Sequence, residues 1–102
     1  MNKKTIMVVC AGGMSSSLLE SRMNQAAQQR KLDYKIFATA GNAVDDEIKK
    51  ENPDVILLGP QVRYMQKTIQ KKTTIPVEVI DMKDYGTMNG ENVLNTALKI
   101  IG

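Results

Sequence analysis

Four short runs of aliphatic and β-branched residues alternate along the chain with four stretches whose apolar positions repeat at helical spacing. Residues 5–9 are continuously apolar, the pattern of a strand buried on both faces of a parallel sheet. Residues 34–38 form a second, weaker run, residues 54–58 read as a central strand, and residues 77–80 follow Pro76 as the fourth.

The intervening stretches carry helix signals of their own. Ser17 and Glu20 have capping-box spacing, and Leu19, Met23, Ala26 and Arg30 follow on one stripe. Asn42 is placed to cap a second helix, with Asp45, Asp46 and Glu47 at its positive end and Lys49 and Lys50 at its negative end. Asn52 and Pro53 stop it. Pro60 suits the first turn of a third helix whose inward face is Val62, Met65 and Ile69. Asn89 is placed to cap a fourth, with Val93, Leu94, Ala97 and Ile101 facing in.

Strand–helix alternation at about 25 residues per unit predicts right-handed crossovers and an α/β fold. The expected architecture is three-layered and doubly wound, a four-stranded parallel sheet with helices on both faces. Its 102 residues suit a single domain, residues 1–102. Such sheets bind ligands beyond the carboxyl ends of the strands. The segments to search are therefore residues 10–17, 39–42, 59–61 and 81–90.

Composition narrows the chemistry. Apolar residues at 42% and charged residues at 25% argue against disorder and disulfide scaffolds. The apolar run at residues 6–11 is far short of the ~20 residues that span a bilayer, and no secretory signal pattern precedes it, so a cytoplasmic, non-spanning protein is expected. A net charge of +3 with 4% aromatics, and no nucleic-acid-binding motif, predicts no nucleic-acid partner. Lys67, Lys71 and Lys72 read as a solvated helix face. With no histidine and a single cysteine, a zinc site, an intramolecular disulfide and a Ser-His-Asp triad are excluded. No metal or cofactor is expected, and any chemistry must use the thiol, carboxylates, amides and hydroxyls.

The most informative segment is Cys10 at the end of the first strand, followed by Ala11, Gly12, Gly13, Met14, Ser15, Ser16 and Ser17. Two glycines allow backbone N–H groups to converge, and three serines lead into a helix N-terminus. That is how an anion cradle is built, with amides, hydroxyls and a positive dipole end around one point. The same field favours thiolate over thiol. A phosphate nest with a nucleophile at its mouth is one reading; a small core cysteine is the other. Three familiar motifs are absent: a Gly-Lys-Ser/Thr phosphate loop, a G-x-G-x-x-G fingerprint and the acidic cluster of receiver domains. The tyrosine-phosphatase cradle, a cysteine followed by five residues and an arginine, comes closest, but Ser16 stands at the arginine position. Without that guanidinium fork the transition-state oxygens lose a bidentate clamp, which disfavours hydrolysis. A small cysteine phosphatase or arsenate-reductase-like enzyme and a non-catalytic anion-binding domain stay open as alternatives.

Over essentially its full length the chain resembles the IIB component of the lactose/cellobiose (diacetylchitobiose) family of the bacterial phosphoenolpyruvate-dependent sugar phosphotransferase system. The likeness is carried by Val9 and the cysteine loop, by Val55 through Leu58 with Gly59, Pro60, Gln61, Val62, Arg63, Tyr64 and Met65, and by Pro76 through Asp81 with Tyr85, Gly86, Asn89 and Gly90. Gly12 departs slightly, alanine being commoner there. The resemblance implies a flavodoxin-like fold similar to that of low-molecular-weight tyrosine phosphatases. It also implies a phosphoryl relay: a phosphohistidine on a IIA protein donates to Cys10, and phospho-Cys10 passes the group to a sugar of cellobiose or chitobiose type held by the membrane component IIC. Residues 11–17 would form the phosphate-binding loop. Gly59, Pro60, Gln61, Tyr64, Asp81 and Tyr85 would form its rim, and the chain would associate peripherally with IIC.

Overall fold

The structure, a computed structural model, describes residues 4–10 and 14–101, with Met14, Ser15 and Ser16 described by backbone alone. Strands β1 (Thr5–Cys10), β2 (Lys35–Ala40), β3 (Val55–Leu58) and β4 (Val77–Val79) form one parallel sheet in the order β2-β1-β3-β4. Helices α1 (Met14–Gln29), α2 (Val44–Glu51), α3 (Gln66–Lys72), α4 (Met82–Gly86) and α5 (Gly90–Ile101) connect and follow them. This is the doubly wound α/β arrangement that the alternation predicts, flavodoxin-like as the resemblance implies, with the order reversing between β1 and β3.

The two-residue repeat of the strands sorts the apolar side chains into two layers. Ile6, Val8 and Cys10 of β1 join Val55 and Leu57 of β3 against α1 and α5, packing on Leu19, Met23, Val93, Leu94 and Ala97. Met7, Val9, Ile56 and Leu58 face the other way onto Val44, Val62 and Ile69. Close approach of α1 and α5 depends on Gly90, where a Cβ would fall 2.5 Å from the carbonyl carbon of Arg22.

Both outer strands are closed by helix side chains. On β2, Glu20 accepts from the Ala38 N–H at 2.7 Å, and Asn24 donates to the Ile36 carbonyl at 3.2 Å. On β4, Gln70 accepts from the Val77 N–H at 3.0 Å while Gln66 donates to the Val77 carbonyl at 2.9 Å. These bonds also fix where α1 and α3 sit along the sheet.

Helix ends differ from expectation in four places. The first helix begins at Met14, so Ser17 lies within it, and Glu20 is drawn to the β2 edge instead of back to Ser17. Arg30 lies just beyond the end of that helix. Asn42 does not cap α2; it sits in a 3-10 turn over Gly41–Ala43, and Ala43 stands at the cap position without a side-chain bond. Residues after Pro60 make a 3-10 segment, Pro60–Met65, and the α-helix starts only at Gln66. Other expected signals hold. Asn52 ends α2 in the left-handed conformation at φ 45°, and Asn89 accepts from the Asn92 N–H at 3.1 Å at the start of α5.

Replacing Gln70 by alanine should lower the unfolding free energy by about 1 kcal/mol, since it removes one acceptor and two donors near β4. Leu57→Ala, at a fully buried position, should cost about 2–5 kcal/mol. Urea denaturation measures both, and equal losses would contradict this ranking of core over edge.

Candidate active site

Cys10 is the last residue of β1 and pairs with Ala40 of β2, while on the β3 side the Gly59 N–H donates to the Val9 carbonyl at 2.8 Å. The strand order reverses at this point, so the sulfur stands where the fold opens a crevice. Side-chain alternation turns Cys10 toward the layer that contains α1, whose N-terminal turn begins four residues later. Cys10 is fully buried.

Gly59 brings the neighbourhood together. A Cβ built there would lie 3.4 Å from Gln61 Oε1, 3.4 Å from Tyr85 Cε1 and 3.5 Å from Cys10 Sγ. Three sequence-predicted residues therefore meet at one point on the sulfur side of β3. Tyr85 comes from α4, which extends from the end of β4 and is started by Asp81: its carboxylate accepts from the Lys83 N–H at 2.8 Å and the Asp84 N–H at 3.3 Å. The tyrosine ring is buried, and its phenol is pushed up from the ordinary 10.0 to about 12. Burial is the largest cause; the charge of Cys10 and a hydrogen bond with its side chain add to it.

The remaining rim residues take different places. Pro60 opens the 3-10 segment, and Tyr64 stands 77% exposed on it, which makes it surface and not cover for the third helix. Pro60, Gln61, Arg63, Met82, Tyr85 and Gly86 line a cleft of about 380 Å³ beside the buried thiol. Asp81 is engaged as a helix cap, and Asp84 accepts from Asn92 Nδ2 at 3.3 Å, so both carboxylates of this loop serve helix ends. Ala11, Gly12 and Gly13 lie outside the described residues. Met14, Ser15, Ser16 and Ser17 form the first turn of α1 instead of a loop, and Ser17 is exposed.

A family model for the lactose/cellobiose-specific IIB subunit of the phosphotransferase system matches residues 5–96. The chain belongs to that family. As a IIB subunit it is a phosphotransferase component of sugar transport. It is 45% identical to the galactose-specific EIIB component of Lactococcus lactis subsp. cremoris, over 95% of each chain. The solution structure of the cellobiose-specific IIB component from Borrelia burgdorferi superposes with a TM-score of 0.79 at 36% identity, covering 98% of this chain and 93% of that one. A lactose-specific EIICB component from Lacticaseibacillus casei is 32% identical over 71% of this chain, which corresponds to 12% of that protein. Among the described residues of the IIB subunit, no helix is long and apolar enough to cross a membrane.

What the sequence under-reported is α4. Five residues are too few for a periodicity, yet Asp81 followed by Lys83 and Asp84 is a readable cap, and it is this turn that carries Tyr85 to Cys10.

The raised phenol has a sign that can be measured. Between pH 10 and 12 the unfolded chain gives up the Tyr85 proton first, so folded stability falls as pH rises through that window. In an absorbance titration Cys10→Ala should bring the Tyr85 transition down part-way only, because burial, the largest cause, remains. A Tyr85 titration unmoved by Cys10→Ala would show that the two groups do not interact.

Proposed function

We propose that this IIB subunit is a phosphoryl carrier in which Cys10 accepts the phosphoryl group of a phosphohistidine on a IIA protein and passes it to a sugar during import through IIC. The observation that supports this most directly is the position of Cys10: the one cysteine of the chain stands at the carboxyl end of a central strand, at the reversal of strand order, with a helix N-terminus directly after it. A thiol there can act as an in-line nucleophile. Backbone amides of residues 11–16 and the positive end of α1 would stabilise the equatorial oxygens in flight. Long phosphocysteine life is favoured by Ser16 at the position where a hydrolytic cradle carries arginine.

The sulfur is fully buried, so transfer requires its cover to part when a partner docks. Met82, exposed at 66%, and Arg63 line the cleft beside the thiol, Tyr64 stands exposed on the same 3-10 segment as Arg63, and these side chains suit a small, exchangeable contact. Two partners must use this face in turn, since donor and acceptor both address one atom. Pairing with a membrane IIC protein accords with the EIICB relative, in which the two designations share one chain. The sugar is read from the family as a β-linked disaccharide of the cellobiose or chitobiose type, with the subunit acting on the cytoplasmic side of IIC. The serines contribute hydroxyl bonds or helix geometry within this scheme.

Cys10→Ser should abolish phosphorylation by phospho-IIA while the fold remains, read by intact mass and circular dichroism. Phosphoryl uptake by the serine variant would overturn the assignment. Steady release of phosphate from an aryl phosphate by the wild-type chain would instead make it a phosphatase.

A further inference from the structure

Resting on the reading of Cys10 as the phosphoryl carrier, we infer that Tyr85 is a positioning residue whose hydroxyl donates to the Cys10 sulfur and thereby sets how readily phosphocysteine gives up its phosphoryl group.

The geometry begins at Gly59, where Tyr85 Cε1 and Cys10 Sγ both fall within 3.5 Å of one point. Cε1 adjoins the ring carbon that bears the hydroxyl, so the polar end of the side chain lies in the same buried neighbourhood as the sulfur, and a hydrogen bond with the Cys10 side chain is among the causes that raise the phenol. Both residues are buried, at 8% and 0% exposure, so water does not compete for the contact. The ring is not free to wander. Tyr85 N–H bonds the Asp81 carbonyl at 2.9 Å, Asp81 caps the same turn, and the Asp84 carbonyl accepts from the Asn89 N–H at 2.8 Å. With its titration held near 12, the phenol keeps its proton at neutral pH and remains a donor.

A fixed donor treats the two states of the sulfur unequally. As a thiolate, Sγ carries a full negative charge and accepts strongly; as an S-phosphate it is a divalent neutral sulfur and accepts as weakly as a thioether. In the first transfer a sulfur lone pair forms the S–P bond while the P–N bond of phosphohistidine breaks and its electrons return to the imidazole. In the second, a sugar oxygen attacks phosphorus, the S–P pair returns to sulfur as thiolate, and the sugar hydroxyl proton passes to solvent. Tyr85 exchanges no proton in either step. By favouring the thiolate it opposes the first transfer and promotes the second, raising the donor strength of phosphocysteine.

The test is the phosphoryl equilibrium between phospho-IIA and this chain, read by intact mass. Tyr85→Phe keeps the ring and should shift the equilibrium about tenfold toward phospho-Cys10, and it should slow onward transfer to sugar in vesicles containing IIC. An unchanged equilibrium overturns the inference. A shift toward phosphohistidine also overturns it, because the hydroxyl would then serve the phosphoryl oxygens. Failure of the wild-type chain to take up any phosphoryl group would sink the carrier reading itself, which keeps the two failures apart. Should Tyr85→Phe not fold, a Tyr34→Phe/Tyr64→Phe chain carrying 3-fluorotyrosine at residue 85 supplies a stronger donor, and its equilibrium must move the opposite way; no movement or the same direction overturns the inference.

Discussion

The pairing of β1 with β3 is the constraint on which the rest depends. Val9 sits opposite Leu58, and one residue further along the Gly59 N–H closes onto the Val9 carbonyl. That register decides which face of the sheet receives Cys10 and brings Gly59 beside it. A slip of one residue would exchange the two layers of apolar side chains and turn the thiol toward α2 and α3. The cost of such a slip is large because both faces of β1 are buried, so position and reactivity are set by the same hydrophobic pattern that folds the chain.

Burial and polarity pull against each other around the sulfur. Taken out of water, a thiolate is expensive, and the described side chains that meet Cys10 beside Gly59 are those of Gln61 and Tyr85, neither of which brings a full charge. The carboxylates of the loop that carries Tyr85 have partners of their own, Asp81 in the Lys83 and Asp84 N–H groups and Asp84 in Asn92 Nδ2. The result is a buried thiol with neutral polar side chains in its neighbourhood.

Most of the architecture could be read from the chain because it rests on long, one-signed patterns. Residues 5–9 and 55–58 are apolar without interruption, and α5 shows its stripe through Val93, Leu94 and Ala97. Local cap readings fared less well for a physical reason. Ser17 and Glu20 have the spacing of a cap, but Glu20 finds a better partner in the Ala38 N–H of a neighbouring strand, a contact that no local window contains. Asn42 loses its place to a 3-10 turn that delays the helix. For the candidate site, Cys10 was legible from its loop and Gly59 from its strand end. The meeting of Tyr85 with Cys10 depends on a five-residue helix docking across the sheet, and its only local trace is the cap at Asp81.

Sealed margins have a consequence for how this protein meets others. The Ile36 carbonyl, the Ala38 N–H and both main-chain groups of Val77 are already claimed by Asn24, Glu20, Gln66 and Gln70. A visiting chain would have to displace these bonds to lay an extra strand there, which disfavours sheet-to-sheet polymerisation and binding by strand addition. Contact with other molecules is thereby steered to side-chain surfaces, which can be made and undone quickly.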